Sequence, residues 1–144
     1  MLARELMTAN PACCHPSDSV LDAARMLGSY DVGSLPVVEG DNGGRLVGIV
    51  TDRDLTVNAL AEGRFDARVA DVMTPKPRSV REDEDVAEVE RIMSEQQVRR
   101  VPVVDKAGAV VGIIAQADLA LSDGGVSEQE VARVVERISE PTIE

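Results

Sequence analysis

The sequence predicts an α/β fold in which two β-α-β-β-α repeats are followed by a C-terminal helix. Three observations support this prediction. The 144 residues are 44% hydrophobic and 28% charged, which is typical of one globular domain. The chain repeats itself at a nearly constant offset, which indicates two copies of one structural unit. Within each copy, apolar runs of strand length alternate with segments of helical period.

The internal repeat aligns residues 5–39 with residues 71–105. Matching stretches are Met7-Thr8 with Met73-Thr74 and Leu35-Pro36-Val37-Val38 with Val101-Pro102-Val103-Val104. After a loop that is shorter in the second copy, Gly48 aligns with Gly112 and Asp54 with Asp118. We therefore place repeat one at 3–62 and repeat two at 69–122.

The elements follow the same order in both repeats. Proline-containing stretches at 10–16 and 75–81 predict a short first strand, and helices are predicted over 17–31 and 82–97. The second of these helices has a single apolar stripe of Val86, Val89, Ile92 and Met93, and its start is crowded with acids that the helix dipole favours. Two strands follow in each repeat, at 34–39 and 45–50 and at 100–105 and 109–114. Each pair of strands leads into a junction helix.

A C-terminal helix is predicted over residues 127–139. Ser127 and Glu130 form the pattern of a capping box at its start. Its apolar stripe consists of Val131, Val134, Val135 and Ile138. Such a stripe on a short helix calls for a partner surface.

The charge and composition argue against several classes of function. The net charge of −11 opposes binding to nucleic acid or to anionic membranes, and only Tyr30 and Phe65 are aromatic. No apolar run reaches the length of a membrane span or a signal peptide. We therefore expect a cytoplasmic protein that binds neither nucleic acid nor membrane.

The stretch GIVTDRDL at 48–55 raises a question, because it recurs as GIIAQADL at 112–119 without the threonine. Locally, Thr51 and Asp54 form the pattern of a capping box at a helix start. The second copy has Ala115 in place of Thr51 and still keeps Asp118. An acid that is kept after its capping partner is lost suggests a second task, such as ligand binding.

These features together resemble the tandem cystathionine beta-synthase (CBS) domain, or Bateman module, of the stand-alone bacterial type. The resemblance rests on the Met-Thr opening, the Pro-Val-Val strand and the Gly-Ile-Val-Thr-Asp-Arg-Asp junction, and it covers residues 3 to about 121. It implies one CBS-pair domain over residues 1–144, with its repeats packed about a pseudo-twofold axis. It also implies two clefts for adenosine nucleotides and a homodimer.

The resemblance assigns binding roles residue by residue. The first cleft would use Ile49, Thr51, Arg53, Asp54, Pro77 and Arg78. The second would use Asn10, Ala12, Gly33, Ser34, Ile113, Ala115 and Asp118. In both, the aspartate would accept hydrogen bonds from the ribose hydroxyls. Arg99 and Arg100 are the candidate phosphate ligands, ahead of Arg53, Arg78 and Arg81.

The two clefts are expected to differ. Gly33 and Ser34 stand where repeat two has Arg99 and Arg100, and Ala115 lacks the hydroxyl of Thr51. We expect unequal phosphate affinity, with the second cleft binding more weakly or taking another ligand. AMP, ADP or ATP is the expected ligand, although S-adenosylmethionine and dinucleotides share the adenosine. No obligatory cofactor is expected.

The interpretation is a regulatory nucleotide sensor that signals to an unknown protein by conformational change. An enzyme is disfavoured because the chain has one histidine and lacks a nucleophile elbow, a Walker loop and a dinucleotide fingerprint. A dimeric scaffold with empty clefts is one alternative. A redox or metal responder through Cys13, Cys14 and His15 is another, although adjacent strand side chains point to opposite faces and converge poorly on a metal.

Overall fold

The computed structural model of the protein describes residues 1–40 and 44–120. The helix predicted over 127–139 lies outside this part of the chain. Helices and strands are both present, so the α/β class is confirmed. Within the described residues, no helix is long and apolar enough to cross a membrane.

The two long helices form where the sequence predicts them. Helix α2 spans Val20–Tyr30, and the Ser19 hydroxyl caps it by accepting the Asp22 N–H at 3.0 Å. Helix α5 spans Val86–Gln96, and the Asp85 carboxylate accepts the Ala87 N–H at 2.9 Å. All four residues of the predicted stripe on α5 are buried. The helices therefore form because a capped start precedes a face of apolar side chains.

Two sheets carry the strands. The three-stranded sheet has the order β2 (Ser34–Glu39), β3 (Arg45–Thr51), β4 (Thr74–Pro75). The four-stranded sheet has the order β1 (Thr8–Ala9), β7 (Val110–Ala115), β6 (Arg100–Val104), β5 (Val80–Arg81). Strand β5 runs parallel to β6, whereas β2 and β3 form an antiparallel pair. Strands β2 and β6, which both contain a Pro-Val-Val stretch, are buried almost throughout.

The predicted first strand of repeat one is reduced to a single bridge. Cys14 pairs with Val37 in parallel; its N–H donates to the Pro36 carbonyl at 3.0 Å and its carbonyl accepts the Val38 N–H at 2.9 Å. Pro11 and Pro16, which have no N–H, flank this bridge and leave few donors for a longer ladder. The equivalent position in repeat two is Val80, which begins β5.

Several short helices were not predicted. Helices α1 (Ala3–Leu6) and α4 (Val69–Val72) each precede a Met-Thr pair. The first junction helix starts as α3 (Asp52–Asp54) and continues as a π-helix over Leu55–Leu60, whereas the second is the α-helix α6 (Gln116–Ala120).

The chain forms two compact units that do not coincide with the two repeats. The first unit contains Asn10–Pro77 and Lys106–Val110. The second contains Met1–Ala9, Arg78–Asp105 and the described residues from 111 to 120. Each repeat thus contributes its opening segment to the unit that holds the body of the other repeat.

Candidate functional site

The first junction lies where β3 ends and α3 begins. The Thr51 hydroxyl accepts the Asp54 N–H at 3.0 Å, and the Asp54 Oδ2 atom accepts the Thr51 N–H at 3.0 Å. Both residues are half-buried. This reciprocal pair is the predicted capping box, and it fixes the Asp54 carboxylate at the start of the helix.

The second junction keeps half of this arrangement. The Asp118 Oδ2 atom accepts the Ala115 N–H at 2.7 Å although no hydroxyl is present. The retained acid therefore has a local structural task, and its retention alone does not require a ligand. Within the described residues, the Oδ1 atoms of Asp54 and Asp118 have no hydrogen-bond partner. Among the residues that the structure describes, no donor uses this second oxygen, so it can accept from a ligand.

The start of the preceding strand lies next to each junction. The Gly33 carbonyl accepts the Asp52 N–H at 3.0 Å, and in repeat two the Arg99 carbonyl accepts the Gln116 N–H at 2.8 Å. Ser34 lies directly opposite Thr51 on the neighbouring strand and is only 5% exposed. The first junction therefore has two hydroxyls on one face of the sheet.

Repeat two has different chemistry at the equivalent positions. Arg100 begins β6 where Ser34 begins β2, and Ala115 ends β7 where Thr51 ends β3. A guanidinium and a methyl group thus replace the two hydroxyls. The two junctions share a backbone and a carboxylate but offer different side chains to a ligand.

The expected cleft residues are divided between the units. The first unit holds most of the first-cleft set, namely Ile49, Thr51, Arg53, Asp54 and Pro77, while Arg78 falls in the second unit. The second-cleft set is divided between the units as well. Its members Asn10, Ala12, Gly33 and Ser34 belong to the first unit, and Ile113, Ala115 and Asp118 to the second.

The structure separates the candidate phosphate-binding arginines into two groups. Arg78 forms an ion pair with Glu95 at 3.7 Å, and Arg81 forms one with Asp83 at 3.1 Å. Among the described residues, Arg53, Arg99 and Arg100 have no ion-pair partner. Arg99 is exposed and Arg100 half-buried. Arg53, Arg99 and Arg100 are therefore the candidates whose guanidinium groups form no ion pair with another described residue.

Sequence reasoning missed how often an acid accepts the N–H of the residue three positions earlier. Besides the two junctions, this contact occurs at four further places in the part of the chain that the structure describes. The pairs are Glu5 with Leu2 at 2.6 Å, Asp18 with His15 at 2.8 Å, Asp71 with Arg68 at 2.9 Å and Glu84 with Arg81 at 3.0 Å. The six acids occupy three equivalent positions in each repeat, a regularity that the repeat alignment could have revealed. Part of the acidity thus serves local structure.

Cys13, Cys14 and His15 are either buried or close to a backbone carbonyl. Cys14 is 1% exposed in the core, where burial and the nearby Asp18 carboxylate raise the pKa of its thiol to about 12. Burial also raises the pKa of Cys13, whose thiol donates to the Pro11 carbonyl at 3.3 Å. The His15 Nε2 atom lies 2.9 Å from the Gly40 carbonyl. Both thiols are therefore protonated at neutral pH and poorly suited to redox chemistry.

A metal site would need several ligands close together. Within residues 1–40 and 44–120, no group of three or more His, Cys, Asp or Glu residues is arranged to hold a metal ion.

Comparison with known proteins identifies the family. The family model for the CBS domain matches twice, at residues 3–59 and 69–123. The YlbB protein of Bacillus subtilis is 43% identical over 121 residues, which cover 83% of this chain and 80% of that protein.

Three solved structures are also similar to this chain. Hypoxic Response Protein I, described with two coordinated zinc ions, has a TM-score of 0.74 at 34% identity and covers 83% of this chain and 97% of its own. The CBS domain pair of protein MJ0100, in complex with 5-methylthioadenosine and S-adenosyl-L-methionine, has a TM-score of 0.74 at 32% identity. That match covers 83% of this chain and 93% of the MJ0100 chain. CBSX2 in complex with AMP has a TM-score of 0.67 at 31% identity. The match covers 96% of this chain and 98% of the CBSX2 chain.

The two family matches correspond to the two sequence repeats and cover most of the chain. The chain belongs to the CBS-domain family and carries one CBS domain in each half.

Proposed function

We propose that this protein is a non-catalytic regulatory module of the cytoplasm that binds an adenosine nucleotide and signals to a partner protein. The observation that supports this proposal most directly is the repeated junction, in which a carboxylate is held at a fixed position and one of its oxygens has no partner among the described residues. A ribose offers two hydroxyl donors, and an acceptor-only carboxylate suits such a diol. The adenosine ligands of the MJ0100 pair and of CBSX2 support this class of ligand.

The proposal assigns unequal ligands to the two clefts. The first would combine the Thr51 hydroxyl and the Asp54 carboxylate with the cation Arg53, which has no ion-pair partner among the described residues, a set suited to a phosphorylated adenosine such as AMP, ADP or ATP. The second would use Asp118, with Ala115 where the first has Thr51 and Ala117 where the first has Arg53. It should therefore bind phosphates less tightly.

Local charge is sufficient for phosphate binding despite the acidic surface. The net charge of −11 is spread over the whole chain. Charges farther apart than about 8 Å are largely screened at physiological salt. Uncommitted guanidinium groups next to a phosphate act at shorter range and form charge-assisted hydrogen bonds.

Regulation requires that the ligand bind two states of the protein with different affinity. We propose a homodimer whose arrangement responds to the ligand and is read by another protein. The two free thiols fit a reducing compartment.

A ligand-dependent thermal melt tests this function. Wild type, Asp54→Asn and Asp118→Asn are heated with AMP, ADP, ATP, NADH or S-adenosylmethionine. A ligand at 100 times its dissociation constant stabilises a protein by about 2.7 kcal/mol, which raises the melting temperature visibly. We expect at least one adenosine phosphate to stabilise the wild type, Asp54→Asn to lose that shift, and Asp118→Asn to keep most of it.

Asp71→Asn is the matched control. Asp71 makes the same kind of backbone contact as Asp54, at 2.9 Å to the Arg68 N–H, but is assigned to neither cleft. This variant should melt earlier without ligand and still show the full ligand shift. If no compound moves the wild-type melt, the nucleotide proposal is wrong and the dimeric scaffold becomes the better interpretation.

A further inference from the structure

Each of the two Met-Thr pairs places a thioether directly over a strand glycine. A Cβ atom built on Gly48 would lie 2.5 Å from the Met73 sulfur and 3.1 Å from the Thr74 carbonyl oxygen. One built on Gly112 would lie 2.7 Å from Met7 Cγ, with the Met7 sulfur closer still. The side of each thioether that faces its strand is therefore closely packed, and the contact leaves no room for an additional atom.

The two methionines hold short segments in place. Met7 and Met73 each cap the C-terminus of a helix of four residues, and each precedes a strand of two residues. Elements of this length have little stability of their own, so packing must hold them. Met7 packs against the core of the second unit, and Met73 packs against the core of the first. Each thioether thus anchors an opening segment to the unit that contains it.

The thioethers of Met7 and Met73 can react with a peroxide, whereas the thiols of the chain react poorly. Burial raises the pKa of both cysteine thiols, and a protonated thiol is a poor nucleophile. A thioether carries no proton, so its oxidation needs no ionisation. Met7 and Met73 are half-buried and can be reached from solution, whereas Met93 is 0% exposed.

We propose that Met7 and Met73 are sites of reversible oxidation, at which a peroxide loosens the two opening segments. A sulfur lone pair attacks one peroxide oxygen, the O–O bond breaks, and the products are a methionine sulfoxide and water. Reduction by a methionine sulfoxide reductase takes two electrons from a pair of thiols and yields the thioether, a disulfide and water. The sulfoxide is larger and polar, so it fits neither the glycine contact nor the apolar core beside it.

Strand pairing connects these positions to the candidate ligand residues. Thr74 pairs with Ile49 in the three-stranded sheet, and Thr8 pairs with Ile113 in the four-stranded sheet. Both isoleucines belong to the expected cleft sets. A segment that leaves its strand changes the surroundings of these isoleucines, so oxidation should weaken ligand binding as well as the fold. This consequence rests on the proposed nucleotide function, whereas the modification itself does not.

A peroxide titration of the full chain without ligand tests the modification. Peptide mass spectrometry measures the added oxygen at each of the five methionines, and circular dichroism follows the thermal melt. We expect Met7 and Met73 to be oxidised well before Met93, and the melting temperature to fall by at least about 3 °C as they react. A methionine sulfoxide reductase with a dithiol should restore the original melt. An unchanged melt after both sites are oxidised, or oxidation of Met93 no later than the other two, would overturn the proposal.

Leucine replacements separate these two sites from the other methionines. Met7→Leu combined with Met73→Leu removes both sulfurs at nearly constant volume, so the double variant should fold and should keep most of its melting temperature in peroxide. Met26→Leu is the matched control, because Met26 is also half-buried and packs against the first core but lies on α2. This control should respond to peroxide as the wild type does. Equal losses in the double variant and the wild type would show that other residues are responsible.

Ligand-dependent melts distinguish this inference from the nucleotide proposal. Oxidised wild type should show a smaller nucleotide shift than the reduced protein, whereas the peroxide-treated double variant should keep its shift. If no nucleotide stabilises the reduced wild type, the proposed function is wrong, and the melts without ligand still decide whether oxidation loosens the fold.

Discussion

Gly48 and Gly112 show how single residues join the two repeats. A Cβ atom built on Gly48 would lie 2.5 Å from the Met73 sulfur, and one built on Gly112 would lie 2.7 Å from Met7 Cγ. The methionine of each Met-Thr pair therefore occupies the space that a side chain on the strand glycine would need. Glycine is required here for close packing and not for a positive φ angle.

Replacing Gly48 by alanine should destabilise the protein by about 1 to 3 kcal/mol, because the added methyl group overpacks a closed contact. Urea unfolding followed by circular dichroism measures this loss. Gly28→Ala is the control: nothing lies within 4 Å of its added Cβ, and alanine is the better helix former. That variant should gain about 0.5 to 1 kcal/mol.

A double-mutant cycle with Met73→Ala shows whether the two residues are coupled. The double variant should lose less stability than the sum of the single losses, since removing the methionine side chain makes room for the methyl group. Additive losses would mean that Gly48 is required for some other reason.

The sequence also showed that Met7 matches Met73 and that Gly48 matches Gly112, but it could not show that they touch. Each contact joins the opening of one repeat to a strand of the other, and an alignment of two repeats contains no information on such exchange. The same limit applies to Asp118. Its retention after the loss of the threonine suggested a ligand, whereas the structure gives it an N–H to accept at 2.7 Å.

At the scale of the elements, four non-glycine residues within 1–40 and 44–120 adopt a left-handed conformation at equivalent positions of the repeats. Asp31 and Gln97 end α2 and α5, and Asn10 and Lys76 follow β1 and β4. Asparagine and aspartate tolerate this conformation better than long side chains do. Repeat two thus carries the more strained residue at both positions.

Lys76→Asn should stabilise the protein by about 0.5 to 1 kcal/mol, because it places the residue of repeat one at the same backbone conformation, with φ near 48°. The Lys76 N–H, which donates to the Val47 carbonyl at 3.1 Å, is kept in the variant. Denaturant midpoints measure the gain. Asn10→Lys is the reciprocal control and should lose a similar amount; a gain in that variant would contradict the explanation.

The sequence predicted the two long helices correctly, because in each a capping residue precedes a periodic apolar pattern. Ser19 and Asp85 start the two long helices, and the buried stripe of α5 is the predicted one. The prediction was wrong for the first strand of repeat one. The two prolines in residues 10–16 have no N–H to donate to a neighbouring strand, and only Cys14 pairs with another strand. The π-helical continuation over Leu55–Leu60 has no pattern in the sequence that indicates it.

At the scale of the whole molecule, the cores of both units are built from the two repeats together. The core of the first unit includes Ala67, which lies just before repeat two, and Val69 and Val72 from the opening of repeat two. The core of the second includes Ala3, with Leu6 and Met7 packed against it. Neither sequence repeat contains the complete core of a unit.

Neither half of the chain should therefore fold alone. A fragment of residues 1–66 lacks the three side chains that close the first core, and a fragment of residues 67–144 lacks Ala3 and its neighbours in the second. Small domains have little surplus stability, so losing a segment of core leaves a half-chain largely unfolded. Circular dichroism and proton NMR of each fragment should show little cooperative structure.

An equimolar mixture of the two fragments should recover the spectrum of the intact protein and a cooperative thermal transition, because each then supplies the segment that the other lacks. The matched control is a mixture in which the second fragment begins after Met73 and so omits α4. In that mixture the first core remains open, and we expect no cooperative transition. A single half that melts cooperatively alone would show that the repeats fold independently and that the exchanged segments contribute little to either core.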